Sequence, residues 1–193
     1  YTGHVPLLMS LFPGAKFIHI VRDPRDRALS EKKVWGKSLR KSVSDWSRVL
    51  THLQSSIESK PNSFIEIRYE DFVVDPSLSL QKITSFLNLP WQDDGMTTLS
   101  TSPEQYGEAR GSLTTIDSSV GRYRIKINDR TACILEQIAF TMLKHYGYAV
   151  SFASEEKSLS LFGSKLLALY GYINLCFFHM KDKGLIKGWN YFR

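Results

Sequence analysis

Apolar and polar positions change period several times along this chain, and each change marks an element. Val5-Pro-Leu-Leu-Met-Ser-Leu-Phe12 forms an apolar, helix-like segment directly behind Tyr1 and reads as part of a longer polypeptide. Phe17-Ile-His-Ile-Val21 is a nearly continuous run of β-formers, the pattern of a short buried strand covered on both faces. Arg22 ends the run, Asp23 is a natural N-cap, and Pro24 suits the first helical position, where its missing N–H is no loss. A helix from Pro24 to about Trp35 follows, closed by a turn at Gly36. The next helix covers roughly Leu39–Glu58, with Val43, Trp46, Val49, Leu50, Leu53 and Ile57 at helical spacing, until Pro61-Asn62 breaks it.

Phe64-Ile-Glu-Ile-Arg68 reads as a second strand, and Tyr69-Glu-Asp-Phe72 leads from it to another cap-and-proline pair, Asp75-Pro76. The amphipathic helix behind that pair carries its apolar stripe on Leu78, Leu80, Ile83, Phe86 and Leu87, and Asn88 to Pro90 end it. A Gly/Ser/Thr-rich loop from about Ser100 to Thr115 precedes Ser118-Ser-Val-Gly-Arg-Tyr-Arg124, and a helix is predicted from about Asp129 to Tyr146. Strands alternating with helices give the fold class α/β, a parallel sheet flanked by helices. Ligands of such sheets bind beyond the carboxyl ends of the strands, which puts Arg22 and Tyr69 on one edge. The expected division is a domain over residues 1–150 and a helical extension over 151–193. That extension contains an apolar-rich helix over Ser158–Lys183, which Lys165, Asn174 and His179 interrupt, so it falls short of a bilayer span. It suits packing on the core, a homodimer contact or, through Lys181, Lys183 and Lys187, a membrane surface.

Composition sharpens this picture only through charge. The net charge of +6 is unevenly spread: residues 1–50 carry ten Lys/Arg against four Asp/Glu, and residues 51–100 carry three against seven. The basic excess surrounds Arg22 and suits a polyanionic ligand. Nucleic acid is the other reading of a pI near 9.3, but no basic run interleaved with aromatics and no zinc or helix-turn-helix signature supports it. Cys133 and Cys176 lie in apolar helical contexts without metal-ligand spacing and read as buried free thiols, which fits a reducing compartment. No secretory signal is visible, so a cytoplasmic location is expected, with Golgi membrane association the alternative in a eukaryote.

The chemistry concentrates in Lys16–Ser30. A helix N-terminus favours anions through its free N–H groups and its dipole, and Arg22 adds a bidentate fork suited to phosphate. The bland alternative pairs Arg22 with a nearby acid such as Asp26. Tyr69 is equally readable as a core tyrosine with a local hydrogen bond, and Glu70 and Asp71 as groups that cap and pair. Ser119, Gly121 and Arg122 could close over an anion, or form a solvated charged turn.

Taken in order, these segments resemble the sulfotransferases that use 3′-phosphoadenylyl sulfate (PAPS). In that family a strand ends in Arg, followed by Asp-Pro or Asn-Pro, with a Ser eight residues after the Arg; Arg22, Asp23-Pro24 and Ser30 have that spacing. The resemblance implies that Arg22 and Ser30 bind the nucleotide's 3′-phosphate and that Tyr69, in Tyr-Glu-Asp, lies near its adenosine. It also implies that Ser119, Gly121 and Arg122 lie over the phosphates, with Tyr123 where the family usually has Trp and Arg124 a further contributor.

The same resemblance exposes a gap. Sulfotransferases carry an N-terminal P-loop-like strand–loop–helix that binds the 5′-phosphosulfate, and no such loop precedes Lys16. The general base also normally precedes the 3′-phosphate motif, which leaves His4 as the one catalytic candidate. The implied fold is therefore P-loop NTPase-like and incomplete at the N-terminus. The implied function is sulfuryl transfer from PAPS, without a metal, to a hydroxyl or amine on a protein, glycan or small molecule. This chain would supply the 3′-phosphate and adenosine part and be inactive alone. A non-catalytic nucleotide-binding or interaction module derived from that fold is the alternative.

Overall fold

The computed structural model describes residues 2–91 and 120–157, together with 163, 165 and 169–173. Two five-residue strands, β1 (Phe17–Val21) and β2 (Phe64–Arg68), pair in parallel, with Phe17 opposite Phe64 and Val21 opposite Arg68. The intervening chain forms the helices α2 (Pro24–Trp35) and α3 (Leu39–Ser59), the connection a parallel pair requires. Ahead of β1 lies α1 (Val5–Leu11), and behind β2 lie α4 (Tyr69–Val74) and α5 (Pro76–Leu87). Past residue 120 come α6 (Tyr123–Lys126), α7 (Asp129–Ile138) and α8 (Phe140–His145). This is the expected α/β class, a parallel sheet flanked by helices.

The chain divides into two compact units, one drawn from Tyr1–Asp23 and Val49–Arg122, the other from Pro24–Arg48 and Tyr123–Arg193. The first holds the sheet. Its core includes Val5 and Met9 of α1, Val21 of β1, Leu50 and Leu53 of α3, and Phe64 and Ile67 of β2. Phe17 and Phe64, opposite each other in the register, stack with ring centroids 4.9 Å apart. The second unit is helical, with Ala28, Val43, Trp46, Leu135, Leu143, Tyr146 and Tyr148 buried.

Local signals account for most boundaries. Asp75 caps α5 by accepting the N–H of Leu78 at 2.8 Å, with Pro76 at the first turn, and Asn88 closes the helix in the left-handed conformation at φ 59°. Asn128 caps α7 in the same way, accepting the N–H of Thr131 at 2.9 Å. α2 has the predicted span, and α3 differs from its predicted end by one residue.

Four expectations change. Cys133, read as a buried thiol, is only half-buried. β1 is not covered on both faces: Val21 is 2% exposed, whereas Ile18 and Ile20 are 42% and 57% exposed. An apolar run satisfies strand propensity on either face, but coverage needs a packed neighbour, and among the described residues the Ile18–Ile20 face stays open. The single helix expected over 129–146 is two, because the chain leaves helical geometry at Ala139, φ −118° and ψ 19°. Tyr69–Val74, read as a connection, forms a helix of its own. The helix expected over 158–183 lies largely outside the described residues; positions 163, 165 and 169–173 are helical.

Candidate functional site

The site begins with strand register. Because β1 and β2 run parallel with Val21 opposite Arg68, the residues that leave the two strands, Arg22 and Tyr69, emerge side by side. The Arg22 guanidinium carbon lies 4.5 Å from the centre of the Tyr69 ring, a cation–π contact that orients the fork while leaving its N–H donors in the plane of the group. One residue further on each strand, the Asp23 backbone N–H donates to Glu70 Oε1 at 2.9 Å. The turn that leaves β1 is thus held to the start of α4 at two points. A third tie joins the strands in mid-sheet, where His19 Nδ1 and Glu66 Oε1 lie 2.9 Å apart on directly paired residues.

Of the residues singled out from sequence, the structure brings together Arg22 and Tyr69. Ser30 sits half-buried in α2, in the second unit. Gly121 takes φ +73° with open space where a side chain would begin, so only its backbone conformation favours glycine there. Arg122 is half-buried beside it, and Ser119 lies outside the described residues. His4 ends the short 3-10 turn ahead of α1 and is exposed. Asp26, the acid weighed as a partner for Arg22, accepts the N–H of Tyr123 at 2.8 Å.

Sequence reasoning missed Arg25, one step into α2. It is 1% exposed; its guanidinium lies 3.9 Å from the Tyr123 ring centre and donates to Glu136 Oε1 at 2.7 Å and the Ala149 carbonyl at 2.9 Å. Its place in Arg-Asp-Pro-Arg-Asp, among exposed-looking charges, gives no hint of burial.

A cavity of about 700 Å³ lies between β2 and α5, walled by Ile65, Ile67, Leu78 and Phe86 and carrying Arg68 and Lys82. Arg22, Ser30, Tyr69, Gly121 and Arg122 do not line it, whereas Asp71 does. Among the described residues, no group of three His, Cys, Asp or Glu side chains could hold a metal ion, and no helix is long and apolar enough to cross a membrane.

Comparison with known proteins bears on the first half of the chain. Residues 1–93 match the model of the sulfotransferase family. The chain is 29% identical over 93 residues to protein-tyrosine sulfotransferase 1 of Danio rerio, covering 45% of this chain and 26% of that protein. It is 30% identical over 94 residues to protein-tyrosine sulfotransferase A of Caenorhabditis elegans, covering 45% and 25%. It is 33% identical over 105 residues to omega-hydroxy-beta-dihydromenaquinone-9 sulfotransferase Stf3 of Mycobacterium tuberculosis, covering 46% and 27%. The chain thus spans between about a quarter and just over a third of the length of the curated relatives it matches. The match includes Arg22, Ser30 and Tyr69 and ends before Gly121 and Arg122. Family match and relatives point the same way: residues 1–93 of this chain are similar to the sulfotransferase family.

Proposed function

We propose that this chain is the nucleotide-gripping part of a sulfotransferase that moves a sulfuryl group from PAPS to a hydroxyl or amine acceptor. The observation that carries the reading is the Arg22 guanidinium held over Tyr69 at the carboxyl ends of two parallel strands, inside the segment that matches the family. A planar fork fixed by a ring beneath it suits the 3′-phosphate, and Ser30, eight residues on, adds a hydroxyl at the family's spacing. Tyr69 serves the adenosine side. Ser119, Gly121 and Arg122 join on their order in the chain, as the segment that lies over the phosphates. Bound PAPS supplies the sulfuryl group; these residues bind and orient its nucleotide end.

In this reading the chain alone transfers little or no sulfate, because the 5′-phosphosulfate loop has no counterpart ahead of Lys16 and His4 is its only candidate base. The names of the relatives offer two acceptor classes, protein tyrosine and a menaquinone hydroxyl, which favours the hydroxyl over the amine as the acceptor proposed here. A homodimer or membrane-surface contact is the proposed use of residues 158–183.

Calorimetry with adenosine 3′,5′-bisphosphate tests the grip. Binding by the wild-type chain, weakened about tenfold or more in Arg22→Ala and measurably in Ser30→Ala, is the expected result. Equal binding by all three rejects the assignment. Sulfate transfer from labelled PAPS by the isolated chain tests the second claim, and robust turnover overturns it.

A further inference from the structure

We infer that Glu70 is a positioning residue for the phosphate grip, acting through the backbone of Asp23 to hold Arg22 in register with Tyr69; this rests on the reading of Arg22 given above. A guanidinium on a flexible stem recognises phosphate well only when its plane is fixed beforehand, because each rotamer frozen on binding costs affinity. Tyr69 fixes the plane of the head group from below, at 4.5 Å. The backbone that carries it also has to be held, and Arg22 stands one residue beyond Val21 and Arg68, the last paired residues of the two strands.

Glu70 supplies that restraint. Its Oε1 accepts the Asp23 N–H at 2.9 Å, the peptide N–H immediately after Arg22, so the carboxylate grips the peptide unit that leaves the arginine. Tyr69 and Glu70 are adjacent in α4, and Arg22 and Asp23 are adjacent at the end of β1; the contacts therefore form a two-rung continuation of the sheet made by side chains. A carboxylate accepting a backbone N–H is a charge-assisted bond, about twice as strong as a neutral one. Asp23 is 5% exposed, which keeps water from competing for its N–H.

The consequence is specific to the 3′-phosphate. Loss of the Glu70 contact loosens the backbone that leaves Arg22 and weakens the hold on the part of the nucleotide that Arg22 grips, leaving adenosine recognition as it was. A general structural defect would weaken all parts together. The experiment compares adenosine 3′,5′-bisphosphate with adenosine 5′-monophosphate, which lacks the 3′-phosphate, by calorimetry on the full chain. Wild type is expected to prefer the bisphosphate by about tenfold or more, and Arg22→Ala to lose that preference. Glu70→Ala is expected to lose most of the preference with monophosphate affinity unchanged, and Glu70→Gln to restore it, because the amide oxygen still accepts the Asp23 N–H. Glu70→Asp, one methylene short of reach, behaves as Glu70→Ala and decides the matter if the alanine variant does not fold.

The outcomes separate the two claims. If wild type shows no preference, or Arg22→Ala keeps it, the phosphate reading fails and the role of Glu70 falls with it. If Arg22→Ala loses the preference while Glu70→Ala and Glu70→Asp retain it, only the Glu70 inference is overturned. A parallel loss of both affinities in Glu70→Ala also overturns it, since that is the mark of a structural role.

Discussion

Arg25 and Glu136, 111 positions apart in the sequence, form a buried ion pair at 2.7 Å with side chains 1% and 0% exposed. The pair also organises the turn that follows α8. Glu136 Oε2 accepts the backbone N–H groups of Ser151, Phe152 and Ala153 at 3.1, 2.7 and 3.0 Å, while Arg25 donates to the Ala149 carbonyl. One carboxylate and one guanidinium thereby tie α2, α7 and residues 149–153 into the second unit.

Breaking this pair is expected to cost far more than its Coulomb attraction returns. Glu136→Ala strands a buried guanidinium and three backbone donors, so a loss of about 3–5 kcal/mol is expected in chemical denaturation. The double replacement Arg25→Met with Glu136→Leu also destabilises here, although isolated buried pairs often tolerate such swaps, because the three N–H groups still lose their acceptor. A change under about 1 kcal/mol for Glu136→Ala would show that the pair is dispensable.

Asp26 makes the companion prediction. Its Oδ1 accepts the Tyr123 N–H at 2.8 Å, and both residues are buried. Asp26→Ala leaves that N–H unsatisfied and is expected to cost about 1–3 kcal/mol, whereas Asp26→Asn keeps an acceptor and costs less. Equal losses for the two variants would contradict the hydrogen bond as the cause.

The Tyr69 ring is predicted to matter through Arg22. Tyr69→Phe keeps a π face beneath the guanidinium and should bind adenosine 3′,5′-bisphosphate nearly as wild type does. Tyr69→Leu removes the face and should weaken binding about two- to fivefold, the worth of an exposed cation–π contact. Identical affinities for the Phe and Leu variants would remove the ring from the account.

The ends of α5 give a stability test free of any functional assumption. Asp75→Ala loses the cap to Leu78 N and should cost about 1 kcal/mol. Asn88→Ala places a Cβ-bearing residue without a polar side chain in the left-handed conformation and should cost about 1 kcal/mol, while Asn88→Gly is tolerated. Thermal melts of the three variants check both statements.

Much of the local structure could be read directly, because its causes are local. The Asp75-Pro76 pair fixes where α5 begins, α2 starts at Pro24, the spacing of Val43, Trp46, Leu50 and Leu53 fixes the buried stripe of α3, and Asn88 marks a helix end. The pairing of Arg22 with Tyr69 was also accessible, since parallel strands of equal length deliver their carboxyl ends to one edge. The break at Ala139 and the extra helix at Tyr69–Val74 were not, as neither carries a glycine or proline to announce it.

The sequence by itself determined the strands, most of the helices, the edge on which Arg22 and Tyr69 meet, and the likeness to sulfotransferases, because propensity, capping and motif spacing act over a few residues. Only the tertiary structure decided which charges are buried and which apolar faces stay open. Arg25 and Arg22 stand three residues apart in one charged run, yet Arg25 pairs with Glu136 and Arg22 lies over Tyr69. Ile18 and Val21 belong to one apolar strand, yet one is exposed and the other buried. Burial and pairing depend on what packs from distant parts of the chain, and no local pattern carries that information.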